Sequence, residues 1–252
     1  MTTVRRVLAV SPHLDDAALS AGATLADFAI RGADVHVVTL FAGAPHEPIS
    51  PVARAFHVRG GLPQDASAVA LRSAEDRAAM DQLGARTHHR GFLDAIYRRT
   101  PEGRWLCGHD QAMFDELPLD QGDLRGEVCR DVRRILAAID PDLVLTCAAV
   151  GDHVDHRLTR AAVLDAAAGA RAPVLLWEDL PYAIGRPPPP ALSETPAARS
   201  DAWERKWRAI ACYPTQIRML WPAHVDWAAQ LRSHAETRGQ GSPAELLAPG
   251  LS

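Results

Sequence analysis

Apolar and polar positions alternate along this chain in blocks that read strand, helix, strand. Residues 4–10, with the apolar run at 7–10, read as a strand buried on both faces. Over 16–31 the apolar residues Leu19, Ala23, Ala26 and Ile30 recur at helical spacing, and Gly32 supplies a left-handed stop. Residues 35–41 predict a second strand. The pattern continues with a helix at 68–83 closed by Gly84, a short strand at 87–93, and an amphipathic helix at 125–139 stopped by Asp140-Pro141. Residues 143–147 predict a fourth strand, 155–168 a helix and 173–177 a fifth strand. Further helices are expected at 201–212 and 225–238. Three segments lack a period, 43–67, 98–124 and 181–200, and the last holds four consecutive prolines. Alternation of this kind implies one α/β domain, a mostly parallel sheet with helices on both faces.

Composition narrows the classes. The 252 residues can bury a full core, and no repeat divides them. A formal net charge of -4 and the lack of a long basic run argue against nucleic acid. No apolar run approaches membrane-spanning length, and residues 7–10 are too short for a signal core. Cys107, Cys129, Cys147 and Cys212 form no CxxC pair, which argues against thiolate zinc and a disulfide framework. The expectation is a cytoplasmic protein without membrane contact, and a homo-oligomer stays open.

Candidate chemistry sits at two strand ends. His13, Asp15 and Asp16 follow the first strand and open a helix; Asp152, His153, Asp155 and His156 follow the fourth and open another. In an open α/β sheet, ligands bind at the carboxyl ends of strands. His13, Asp16 and His156 can hold one divalent metal with a position left open, as in a catalytic zinc site. Asp15 leaves the backbone in another direction from Asp16 and is assigned to the proton. His153, protonated, could stabilise an oxyanion or protonate a leaving amine. Asp155 could orient one of the imidazoles. Taken singly, His13 could be a satisfied strand-end histidine, and Asp15 and Asp152 helix caps. Two clusters in matching positions favour one composite site.

Pro12-His13-Leu14-Asp15-Asp16 resembles the (A/P)HPDDE signature of the LmbE-like, or PIG-L-like, deacetylases, and His153-Val154-Asp155-His156 resembles that family's HxDH motif. Arg72 and Glu75 resemble its RxxE helix, Asp94 falls where a substrate-side acid is often found, and Lys206, Tyr213, Thr215 and Gln216 resemble a C-terminal pattern. Leu14 replaces the usual Pro, and Ala17 the usual Glu. The resemblance implies a Rossmann-like fold and a metal-dependent N-deacetylase or amidase. It maps the metal ligands to His13, Asp16 and His156, the general base to Asp15 and the electrostatic histidine to His153. Zinc is the expected ion, with ferrous iron the alternative.

The leading function is therefore hydrolysis of an N-acyl group, foremost N-acetyl, on an amino sugar or a natural product that carries one. Amidase action on a thiol conjugate is the variant within that class. A metal-dependent phosphohydrolase is disfavoured, since no glycine-rich phosphate cradle follows the first strand and Lys206 is the only lysine. A non-catalytic binding protein is disfavoured by the complete ligand set. Substrate choice is expected from the three irregular segments, with Arg72 and Asp94 beneath them. Glu178-Asp179 reads better as a turn before Pro181 than as part of the site, Trp203 and Trp207 as packing, and His46, His57, His88 and His89 as surface or loop histidines.

Overall fold

The computed structural model describes residues 4–65, 67–115, 123–188, 193–194 and 198–250. The parts of the irregular segments at 116–122, 189–192 and 195–197, with the last two consecutive prolines, lie outside these. Five parallel strands run through the centre: β1 (Arg6–Ser11), β2 (Asp34–Thr39), β3 (Arg86–His89), β4 (Leu143–Cys147) and β5 (Val174–Trp177). β7 (Leu246–Pro249) pairs antiparallel with β5, and the two-residue β6 (Ser193–Glu194) pairs with β7. The order across the sheet is β3-β2-β1-β4-β5-β7-β6. The helices are α1 (Asp16–Ile30), α2 (Pro51–Gly60), α3 (Ser67–Leu83), α4 (Leu124–Ile139), α5 (Val154–Ala167), α6 (Ser200–Ala211), α7 (Pro214–Leu220) and α8 (Trp227–Arg238).

The two-residue period of a strand explains the two layers. In β1, Val7 and Ala9 join a core with Leu25 of α1, Met80 and Leu83 of α3, and Ala209 of α6. Leu8 and Val10 point the other way, to Val128 and Val132 of α4 and Leu158 and Ala162 of α5. Both faces are dry, which is why the central strands read as continuous apolar runs. Full burial of one such Leu or Val contributes roughly 1.5–3 kcal/mol. The chain moves one way from β1 to β2 and β3, and the other way from β4 to β5. The sheet order therefore reverses between β1 and β4, and a crevice opens at their carboxyl ends.

Three elements differ from the sequence expectation. Residues 51–60 form α2 inside a segment expected to be irregular. Its apolar stripe is thin, but its ends are well marked: the Ser50 hydroxyl accepts from the Ala53 N–H, Pro51 opens the first turn, and Gly61 closes it at φ 67°. α7 and β7 are only 7 and 4 residues long, so they carry too few periods to show. Asp15 makes no capping bond at the start of α1, and α5 is capped by His153 rather than Asp152.

α1 is interrupted at Ala21 (φ -129°, ψ 16°). The freed N–H groups of Ala23 and Thr24 donate to the Glu245 carboxylate at 2.9 and 2.8 Å, the Thr24 hydroxyl donates at 2.6 Å, and Lys206 Nζ lies 2.6 Å away. Both members of the Lys206–Glu245 pair are buried. Glu245→Ala removes the acceptor and leaves a buried ammonium, and should lower stability by about 3–5 kcal/mol. Urea unfolding checks this, and Glu245→Ala combined with Lys206→Met should recover a large part of the loss.

Candidate metal centre

The turn after β1 is tied by its own side chains. The Ser11 hydroxyl donates to His13 O at 2.9 Å and accepts from Ala17 N at 3.2 Å, while Asp16 Oδ2 accepts from His13 N at 2.8 Å. Asp15 sits at φ 153°, a strained value of the kind found at functional sites. After β4 the chain turns through Ala149, Gly151 and Asp152, all at positive φ, before α5 starts. A Cβ on Gly151 would come within 2.8 Å of Tyr182, so glycine is needed there for space as well as for φ 91°.

These turns bring His13, Asp16 and His156 together. His13 Nδ1 lies 3.2 Å from Asp16 Oδ2, and His156 Nε2 lies 3.3 Å from the same oxygen. The far nitrogens are held by other buried carboxylates. His13 Nε2 is 3.1 Å from Asp155 Oδ2, and His156 Nδ1 is 2.7 Å from Asp179 Oδ1. With a cation between them, each ring would keep its hydrogen on the far side and turn a lone pair inward. Three acceptor atoms then face one another, and the buried His156 Nε2 has no hydrogen-bond partner. This donor set fits a divalent cation.

Two overlapping groups compete less well. In His13, His153 and Asp155, the Asp155 carboxylate is already engaged by Arg98 and by Ala95 N. In Cys147, His156 and Asp179, burial holds the Cys147 thiol well above its usual range, and Sγ donates to His156 O.

The protonation of the isolated chain states the same need for positive charge. Burial alone would push the His156 ring down, but Asp16 and Asp179 lift it to about 9. Burial opposes His13 likewise, and Asp94, Asp155 and Asp16 raise it well above the usual value. Asp16 is held well below the usual carboxylate range by both imidazoles, against its burial. Burial and the adjacent Asp16 push Asp15 up to about 8. His153 departs from the sequence expectation of a protonated ring. Burial, then the neighbouring His13, drives it well below its usual value. Its Nδ1 accepts from Asp155 N at 3.1 Å, which leaves a neutral ring with the hydrogen on Nε2.

Asp15, Asp16, His13 and His153 line the floor of a cleft of about 280 Å³, with Arg72, Asp94 and Gln216 beside them. Arg72 is buried on α3 with Nη1 4.0 Å from Asp94 Oδ2, and Asp94 Oδ2 lies 3.7 Å from His13 Nε2. All three irregular segments reach this cleft, through Phe56 and Arg59, through Met113 and Phe114, and through Pro181 and Tyr182. Glu75 is outside it; it accepts from Thr215 N at 3.2 Å and Thr215 Oγ1 at 2.5 Å, which fixes the start of α7 beside Gln216. Tyr213 donates to Asp76, and Lys206 is bound to Glu245, so both belong to the packing around the site.

Sequence reasoning missed Asp179, read there as a turn, together with Arg98 and Tyr182. The Tyr182 ring stands edge-on to His156 at 5.4 Å. The available signal for Asp179 was its place at the carboxyl end of β5, next to β4. Glu178 is bound by His234 and Arg238 instead. His57 is buried and 2.6 Å from the Tyr97 hydroxyl, and His89 binds Asp76 at 2.7 Å, so neither is a surface histidine. His46 and His88 are exposed, and Trp203 packs on Trp207 at 5.5 Å.

A reversed parallel sheet with a His-Asp-His donor set at its switch point defines an α/β protein whose strand ends could hold a metal ion. The chain belongs to the PIG-L family of GlcNAc-PI de-N-acetylases, whose profile matches residues 8–167. It is 33% identical over 180 residues to the 2'-N-acetylparomamine deacetylase of Streptomyces fradiae, covering 71% of this chain but 58% of that protein. It is also similar to a teicoplanin deacetylase, solved in a zinc-inhibited form, with 41% identity, TM-score 0.86 and 97% of both chains covered. A deacetylase of the A40926 pseudoaglycone shares 38% identity at TM-score 0.80, covering 98% of this chain and 97% of that one. No helix among the described residues is long and apolar enough to cross a membrane.

Asp179→Asn, which weakens the hold on His156 Nδ1, should lower divalent-metal affinity by about 10–100-fold with the fold retained. Competition with a chelator of known affinity, read beside a circular dichroism spectrum, measures this.

Proposed function

We propose that this chain removes the N-acetyl group from an amino sugar carried on a larger natural product, using one divalent metal. The observation that carries this reading is the Asp15 carboxyl standing in the cleft beside three converging donor atoms. The relatives named for deacetylation of paromamine, teicoplanin and the A40926 pseudoaglycone support the substrate class. Two imidazoles and a carboxylate suit zinc, with ferrous iron the alternative. Four free cysteines among the described residues support a reducing compartment, the cytoplasm.

His13, Asp16 and His156 would hold the ion, which supplies Lewis-acid polarisation of the amide carbonyl and lowers the pKa of water toward about 7. Asp15, standing in the cleft beside these donors, accepts the proton from the attacking water and returns it to the departing amine. His153 offers its neutral Nε2–H to the carbonyl oxygen as negative charge grows there. Asp155 and Asp179 keep the two ligand rings in the tautomer that faces inward. Arg72 and Asp94 lie where sugar hydroxyls can bond them, and the apolar side chains of the rim keep bulk water away from the amide.

Acetate release from N-acetylated aminoglycoside and glycopeptide substrates tests the reading. Activity should vanish on chelation and return with added metal. Asp15→Asn should keep the metal and lose at least about 100-fold in kcat; near-normal turnover would exclude Asp15 as the base. His153→Ala should keep the metal and lower kcat. Asp94→Ala should weaken catalysis on the full substrate far more than on a minimal N-acetyl sugar, with metal content unchanged.

A further inference from the structure

The two ligand rings are backed unequally. His156 Nδ1 stands 2.7 Å from Asp179 Oδ1, and the other Asp179 oxygen accepts the Val150 N–H at 2.8 Å. No arginine or lysine pairs with Asp179 among the described residues. Its negative charge is therefore left for His156 and for whatever His156 binds. His13 Nε2 lies farther from its carboxylate, 3.1 Å from Asp155 Oδ2. That same oxygen accepts from Ala95 N at 2.9 Å, and Asp155 Oδ1 pairs with the Arg98 guanidinium. Asp155 thus serves three donors and Asp179 two.

Arg98 has little else to bind. It is buried, its Nε and Nη1 find no hydrogen-bond partner, and Asp155 is its ion-pair partner among the described residues. A single 3-10 turn, Ala95–Tyr97, delivers it, and Asp155 holds that turn by its first N–H. The Arg98 Cζ sits 5.2 Å over the Phe41 ring, and Phe41 stands 6.0 Å from the His13 ring. The medium between guanidinium and imidazole is therefore aromatic and dry, and a charge there is screened far less than in water. A positive charge so placed opposes any cation that His13 would bind. A mere brace would spread its donors over several acceptors, whereas this side chain directs its charge at one carboxylate.

We propose that Arg98 is a positioning residue that acts on His13 through Asp155. It draws the carboxylate away from the imidazole, makes His13 the weaker of the two ring ligands, and holds divalent-metal affinity below what the carboxylates alone would give. The inference rests on the ligand assignment above and is independent of which amide is cleaved. The sign of the effect separates this role from a brace. Loss of a brace loosens a metal site, and loss of a competing positive charge tightens it.

Chelator competition on the purified chain reads that sign. Arg98→Gln keeps a donor for Asp155 and removes the charge, and it should bind zinc about tenfold more tightly than the wild type. Arg98→Met should do the same, while Arg98→Lys, which keeps the charge, should stay within about threefold of the wild type. Nuclear magnetic resonance of the chain with isotope-labelled histidine reads the hydrogen bonds themselves, since a stronger bond moves its N–H proton downfield. In the wild type the His156 Nδ1–H should lie downfield of the His13 Nε2–H. Arg98→Gln should move the His13 signal toward it and leave His156 in place. Equal or weaker zinc binding by a folded Arg98→Gln overturns the proposal, as do an unmoved His13 signal and an Arg98→Lys that binds as tightly as Arg98→Gln. Should neither neutral variant fold, the wild-type spectrum decides, and a His13 signal level with or downfield of His156 overturns it. Should the wild type bind no zinc, the ligand assignment fails, and the same comparison of spectra on the metal-free chain judges Arg98 by itself.

Discussion

One carboxylate oxygen, Asp16 Oδ2, faces two imidazole nitrogens at 3.2 and 3.3 Å in a buried site. Much of the surrounding structure is arranged around that contact. Acceptors this close repel unless positive charge lies among them, and burial multiplies the penalty. The isolated chain meets the need with protons on the rings. A cation meets it with one ion and leaves the rings free to act as ligands. The neighbourhood carries more negative charge than a dry interior tolerates unpaired, and the buried Arg98 and Arg72 offset part of it against Asp155 and against Asp15 and Asp94.

The fold makes this possible because separate strand ends share the burden. β1 delivers His13 and Asp16, and the β4–α5 turn delivers Asp155 and His156. β5 delivers Asp179, and the turn after β3 delivers Asp94 and Arg98. None of these residues is held by its own element alone. Asp155 reaches from α5 to a ring on the β1 turn, and Asp179 reaches from the end of β5 to a ring on α5. The site is therefore as rigid as the sheet that spaces the strand ends, which is the condition for holding ligands in a fixed geometry.

The sequence made the local part of this visible and hid the part set by pairing. His13, Asp16 and His156 could be read because each lies at a strand-to-helix junction, where a few consecutive residues carry the signal. Asp179 was weighed and set aside as a turn, because its role depends on register: Cys147 opposite Trp177 sets the residues after β5 beside those after β4. The central strands and the helices that cover them appeared through period alone. α2 was hidden because its apolar stripe is weak, although Ser50, Pro51 and Gly61 mark its ends. The neutral state of His153 was hidden too, since it follows from burial beside His13 and not from residue type.

Lys206 is the only lysine of the chain, and its ammonium is buried against Glu245. Acylating reagents need an exposed, unprotonated amine, so the folded protein offers them no lysine side chain. Ester-based crosslinkers and surface coupling through lysine find no lysine to react with on the folded chain. Lysine acylation of the folded chain accordingly has no target until the buried ion pair comes apart.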